Sequence, residues 1–149
     1  MGTRSTITFC ERRNENVYPI VNIYQQYDGY LEGVGKDLCE WLINKTIVNG
    51  LPISNENDMD IANGFGCLIA QYIANNKTCV GDLYIIPMGD MLKYCDYNDT
   101  VIFDTNTETP YKASDRTTIC VDNWGDSHFF EGSPEELLEY IKRQSEVDE

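Results

Sequence analysis

The residues best suited to chemistry lie between Tyr27 and Lys36, where Tyr27-Asp28-Gly29-Tyr30-x-x-Gly33-x-Gly35 runs from a strand-like segment into a helix-like one. Glycines let a backbone turn sharply and approach a ligand closely, and free amides at a helix start hold a phosphate or carboxylate. Asp28, Gly29, Tyr30, Gly33, Gly35 and Lys36 therefore form a candidate ligand-binding loop, with Arg4 from the adjoining strand as its countercharge. On this reading Gly33→Val or Arg4→Ala abolishes binding and leaves the fold intact. The alternative is a structural strand-to-helix turn, which needs glycine for its geometry alone. The run lacks the G-x-G-x-x-G of a dinucleotide site and the G-K-[ST] of a P-loop.

Catalytic residues cannot be assembled from the remaining side chains. His128 is the single histidine and hence the one side chain whose unperturbed pKa lies near neutrality. It precedes Phe129 and Phe130 in a strand-like stretch, where a structural histidine is the expectation. A cysteine nucleophile needs a base beside it, and Cys120, across an expected hairpin from His128, comes nearest. Cys10, Cys39, Cys67, Cys79, Cys95 and Cys120 form no C-x-x-C pair, which argues against structural zinc, and each sits in an apolar stretch as a free thiol would. Asp58-x-Asp60 with Asn63-Gly64 is similar to a calcium loop, but its glycine is one position late and Ile69 stands where the bidentate glutamate belongs,. No metal and no cofactor is expected.

Tyr24, Tyr27 and Tyr30 could stack a flat ligand, yet without neighbouring bases they read as core and sheet-edge packing. The N-x-T triplets at Asn44, Asn76 and Asn98 are glycosylation acceptors only in a secretory compartment, and no leader-like apolar stretch opens the sequence,. Met1-Gly2-Thr3-Arg4-Ser5-Thr6 fits the loose myristoylation pattern, but a strand from Thr3 onward is the better reading.

The elements that must position these residues follow from hydrophobic period. Thr3 to Cys10 alternates as a strand, and Val17 to Tyr27, apolar on both faces, reads as a central strand paired to it in a hairpin. A short helix is expected from about Lys36, carrying Leu38, Cys39, Trp41 and Leu42 on one face. After a loop over 50–58, Ile61, Phe65, Leu68, Ile69, Tyr72 and Ile73 recur at helical spacing, and Gly64 and Gly66 suggest close backbone packing near that helix start. Leu83 to Ile86 reads as a strand ended by Pro87. Asn98-Asp99 reads as a turn between strands at 94–97 and 101–103, and Trp124-Gly125-Asp126 as a turn between 117–121 and 128–130. The polar stretch 104–116 reads as an exposed loop. Ser133-Pro134-Glu135-Glu136 is a capping box opening a last helix with Leu137, Leu138 and Ile141 as its core face.

The 149 residues hold 25 acids and 11 bases, a formal charge of −14, and residues 82–149 contribute 16 acids and 5 bases, net −11. So negative a surface repels phosphate backbones, which excludes direct nucleic-acid binding and suits a basic protein partner. No apolar run approaches the ~20 residues that span a bilayer, so no membrane association is expected.

Met1-Gly2-Thr3-Arg4-Ser5, Tyr27-Asp28-Gly29-Tyr30 with Gly33 and Gly35, Asn63-Gly64-Phe65-Gly66 and Phe130-Glu131-Gly132-Ser133-Pro134-Glu135-Glu136 together resemble a group of small bacterial and bacteriophage proteins. Members begin MGTRS and continue with a DGYP-x-G-x-G-like loop; here Leu31 replaces the usual proline. The resemblance implies a cytoplasmic, phage or viral setting, and no catalytic residue comes with it.

These observations predict one α+β domain over residues 1–149: a mostly antiparallel sheet of about six or seven strands with three helices packed as a layer. The leading functional expectation is a non-enzymatic cytoplasmic accessory protein that binds a host or viral protein through its acidic C-terminal half. The alternative is a small-ligand protein, nucleotide-binding or hydrolytic, using the loop at 28–36. Homo-oligomerisation stays open.

Overall fold

A computed structural model describes residues 3–50, 58–87, 95–105, 108–123 and 126–147, apart from the side chains of 126–129, 145 and 147. The alternating N-terminal segment forms β1 (Ser5–Arg13), which turns through Asn14 and Glu15 into β2 (Asn16–Gln25). Asn14 takes φ 58°, the left-handed conformation that a tight hairpin needs and asparagine tolerates. Pairing runs from Ser5–Gln25 to Arg13–Asn16, with one irregularity: Phe9 faces Val21 and Cys10 faces Pro19, leaving Ile20 as an extra residue.

The remaining elements are α1 (Lys36–Ile43), β3 (Thr46–Val48), β4 (Ile61–Asn63), α2 (Gly64–Asn76), β5 (Leu83–Ile86), β6 (Tyr97–Asp104), β7 (Tyr111–Lys112), β8 (Thr117–Asn123), β9 (Asp126–Gly132) and α3 (Pro134–Val147). The main sheet has the order β5-β2-β1-β6-β8-β9 and is antiparallel except where β1 and β6 run parallel. A second, three-stranded sheet has the order β4-β3-β7. The fold is α+β, as the hydrophobic pattern predicts.

Strand alternation divides the main sheet into two faces. Ile7, Phe9, Ile23, Val101, Phe103, Ile119 and Val121 share one core with Leu38 and Leu42 of α1, Leu68, Ile69 and Tyr72 of α2, and Leu137 and Ile141 of α3. Aromatic rings knit this layer: Phe103 stacks on Phe65 at 4.5 Å and on Phe9 at 6.0 Å, and Tyr72 meets Phe9 edge-on at 5.6 Å. The opposite face is polar and hydrogen-bonded, Thr6 Oγ1 donating to Asn98 Oδ1 at 2.7 Å and Thr8 Oγ1 to Asn22 Oδ1 at 3.0 Å. Cys10, Ile102 and Cys120 make a small apolar cluster there.

Several sequence expectations are corrected. Asn98-Asp99 is no turn: both lie inside β6, where Asp99 pairs with Ile7 on one side and Val121 on the other. Two flanking strands supply the pairing that overrides local turn preference. Ile61 belongs to β4, not to the helix, which starts at Gly64. Neither Gly64 nor Gly66 packs tightly, since a β-carbon on either would meet nothing within 4 Å; Gly64 serves instead by its φ of +84° at the strand-to-helix junction,. The stretch 104–116 contains β7 and a 3-10 turn at Ala113–Arg116 with Ala113 and Ser114 buried. Among the described residues, β2 is flanked by strands on both sides only over Asn22–Gln25, where β5 covers it. Most of the loop expected over 50–58, the start of the strand expected at Tyr94, and the turn at Trp124–Gly125 lie outside the described residues.

The capping box forms as predicted. Glu136 N donates to Ser133 Oγ at 3.1 Å while Ser133 N donates to Glu136 Oε1 at 3.0 Å, satisfying two orphan donors reciprocally. It aims α3 along α1, and these two helices make the main helix-helix contact.

Candidate functional site

The loop from Asp28 to Gly35 sits where β2 leaves the sheet beside the start of β1. Asp28 adopts φ 59°, and its carbonyl accepts from Val34 N at 2.8 Å. Gly29 is buried, its amide donating to Thr3 O at 2.9 Å, and a β-carbon on it would lie 2.7 Å from Ser5 Cβ. Tyr30 is exposed; its hydroxyl donates to Asp28 Oδ1 at 3.3 Å, and the neighbouring Asp28 charge raises its pKa.

Winding begins earlier than Lys36. Leu31–Gly35 forms a π-turn continuous with α1, so Gly33 and Gly35 are helical residues. Gly33 N donates to Tyr30 O, and Lys36 N is bonded to Gly33 O and Leu31 O. Among the described residues, the amides of Gly33, Val34 and Lys36 are thus spent inside the turn rather than presented to an anion. A β-carbon on Gly35 would meet the Leu31 side chain at 3.3 Å, a packing contact between winding and core.

The two cations proposed for the loop have different neighbours. Arg4 anchors β1 to the start of β6, its amide donating to Asp96 Oδ2 and its carbonyl accepting from Asp96 N and Tyr97 N. Its guanidinium acts on Tyr24 and Cys95, lowering both pKa values against the larger upward effect of their burial. Lys36 instead lies 3.9 Å from Glu40 on the exposed side of α1. Asp28, Gly29, Tyr30, Gly33 and Gly35 stay contiguous, with the Arg4 backbone beside Gly29 and the Lys36 ammonium turned toward Glu40.

Lys36 lines a different feature, a groove of about 490 Å³ between the π-turn, α1 and α3. Leu138 and Ile141 form its apolar floor, Glu32, Glu40 and Glu146 its acidic rim, and Lys36 and Lys142 its bases. Asp37, one residue along, has its pKa raised by burial and then by Glu40. Sequence reasoning noted the acidic C-terminal half but missed that the π-turn and α1 contribute one rim carboxylate each, Glu32 and Glu40; the signal available was Glu40 falling on the polar side of the expected helix, one turn beyond Lys36.

Elsewhere the titratable groups are dispersed. Asp99 is fully buried on the core face of β6, its Oδ1 without a hydrogen-bond partner, and burial followed by the Asp122 charge raises its pKa to about 7. Cys120 donates to Glu131 Oε1 at 3.4 Å, and burial followed by that contact raises its thiol to about 12, so it is no activated nucleophile. The His128 side chain lies outside the described residues. Among the described residues no three of His, Cys, Asp and Glu converge to hold a metal, and no helix is long and apolar enough to cross a membrane.

Comparison with protein-family models, with curated proteins and with solved structures finds no match.

Proposed function

We propose that this protein acts by binding another protein rather than by catalysis, and that the groove between α1 and α3 is its contact. The observation that carries the reading is the groove itself: a floor of Leu138 and Ile141 beneath a rim where three carboxylates face two lysines, on a chain of net charge −14. Apolar floor with charged rim is the anatomy of a protein contact, and the surplus of carboxylates selects a basic partner and speeds its approach. A host or viral protein presenting a lysine- or arginine-rich segment fits this chemistry, in a cytoplasmic phage or viral setting.

The small-ligand reading of the loop at 28–36 has less support, because the turn's own carbonyls take the Gly33, Val34 and Lys36 amides. The deciding experiment is affinity capture from a lysate at about 50 mM and about 300 mM salt, with wild type and a Glu32→Gln, Glu40→Gln, Glu146→Gln variant. A partner captured by wild type at low salt, and lost both at high salt and on neutralisation, supports the reading. Capture that ignores both changes sinks it.

A further inference from the structure

Two buried polar groups are left unmet at one end of the main sheet. Asp99 of β6 and Ser5 of β1 are both buried, and neither Asp99 Oδ1 nor Ser5 Oγ has a hydrogen-bond partner. The register sets Ser5 beside Tyr97 and Ile7 beside Asp99, so the two side chains lie on the core face of neighbouring strands, one row apart. A buried polar group without a partner is costly, and a buried charge without one far more so.

Among the described residues no cation offsets the Asp99 carboxylate. Ile7 and Val121 flank it on β1 and β8, and the ionisable groups that interact with it are Cys39 of α1, Tyr72 of α2, Tyr97 of β6 and Asp122 of β8. α3 adds Glu135, whose charge reaches Cys39. Burial is the largest upward effect on the Cys39 and Tyr72 pKa values, and the Asp99 charge is the next. All of these groups are neutral or negative, so the closed core accepts Asp99 as the neutral acid and resists its ionised form.

The cover over this spot contains a natural hinge. Gly29 lies against Ser5, where a β-carbon would stand 2.8 Å from Ser5 Oγ, and the π-turn Leu31–Gly35 leads from there into α1. A π-turn interrupts the regular α-helical ladder and concentrates bending. Glu32, Lys36 and Glu40, one side of the groove, ride on this turn and on α1, whereas Leu138, Ile141, Lys142 and Glu146 belong to α3.

We propose that Asp99 is a pH switch for the seating of α1: loss of its proton to solvent swings the π-turn and α1 off the sheet, hydrates Asp99 and Ser5 together, and moves one side of the groove. The closed form holds the neutral acid, and rising pH favours the open form. That the switch regulates partner binding rests on the groove being the contact; the movement of α1 does not.

Hydrogen exchange of the full chain at pH 5 and pH 8, corrected for the intrinsic rate of each amide, tests the movement. Protection of the α1 amides 39–43 should fall at least about tenfold from pH 5 to pH 8. At pH 8 it should lie below that of the β1 amides 6–10, because α1 opens without the sheet. Asp99→Asn, which cannot ionise, should hold α1 protection level across the range. The proposal is overturned by α1 protection that does not fall, that falls equally in Asp99→Asn, or that coincides with β1 at pH 8 as whole-molecule unfolding requires. Should Asp99→Asn fail to fold, the wild-type fall and its separation from β1 decide alone. Capture of a partner at both pH values separates the two readings: loss at pH 8 in wild type but not in Asp99→Asn supports both, while α1 opening with capture unchanged keeps the switch and overturns the groove as the contact.

Discussion

A β-carbon placed on Gly33 would stand 2.2 Å from the carbonyl oxygen of Asp28, the same oxygen that accepts the Val34 amide at 2.8 Å. No side chain fits between two pieces of backbone that close. The glycine is required by the junction between β2 and α1 whether or not a ligand binds there. Gly33→Ala is expected to cost ~3 kcal/mol or more and to lower Tm by roughly 10 °C. The expectation that Gly33→Val spares the fold is therefore replaced: thermal denaturation should report unfolding, and a Tm within a degree or two of wild type would contradict the packing described.

Asp99 sets a pH dependence whose sign is unusual for a carboxylate. Its folded-state pKa is raised from 3.8 to about 7, so the native state binds this proton more tightly than the unfolded chain. Its contribution is then fully present below pH ~4, declines as pH rises to ~7 and is gone above, on the order of 4 kcal/mol at most. Urea titrations at pH 5 and pH 8 should show wild type losing stability toward pH 8. Asp99→Asn should flatten that part of the profile; an unchanged slope in the variant would assign it to other groups.

The reciprocal bonds between Ser133 and Glu136 predict a coupled pair. Ser133→Ala should cost about 1 kcal/mol, and Glu136→Ala a smaller amount. Because each residue caps the other's amide, the double variant should lose less than the sum of the two. Strict additivity in a chemical-denaturation cycle would mean the box contributes nothing as a unit.

Thiol chemistry separates the six free cysteines. Cys79 is exposed and Cys67 half-buried, while Cys10, Cys39, Cys95 and Cys120 are buried and burial raises the pKa of each of those four. Native protein treated with a thiol reagent near neutral pH should label first at Cys79, with the buried four reacting only on unfolding. Early modification of Cys39 would show that α1 opens readily.

What the sequence revealed depended on how local each feature's cause was. The β1–β2 hairpin, β5 and the capped α3 are dictated by alternation, a bounding proline and a four-residue cap, all visible within a short window. β3, β4 and β7 are two or three residues long, too short to carry a period, and exist because tertiary packing brings them together. β6 was hidden for the opposite reason: Asn98-Asp99 has turn chemistry, and only its placement between β1 and β8 holds it extended. At the candidate site, glycine spacing marked the loop correctly as special. It could not distinguish a turn that presents its amides from one that consumes them, since that difference lies in hydrogen bonds such as Gly33 N to Tyr30 O.

The parallel pairing of β1 with β6 has a consequence for how this chain comes into being. Thr6 waits for a residue 92 positions later to complete its hydrogen bond, so the β1–β2 hairpin, once it leaves a ribosome, has one of its flanks vacant until β6 has been made. Loop closure over such a span is slow compared with hairpin formation. For that interval the nascent hairpin offers an unfilled slot beside β1, and the timing of translation past Asp104 governs how long it stays open to the wrong strand.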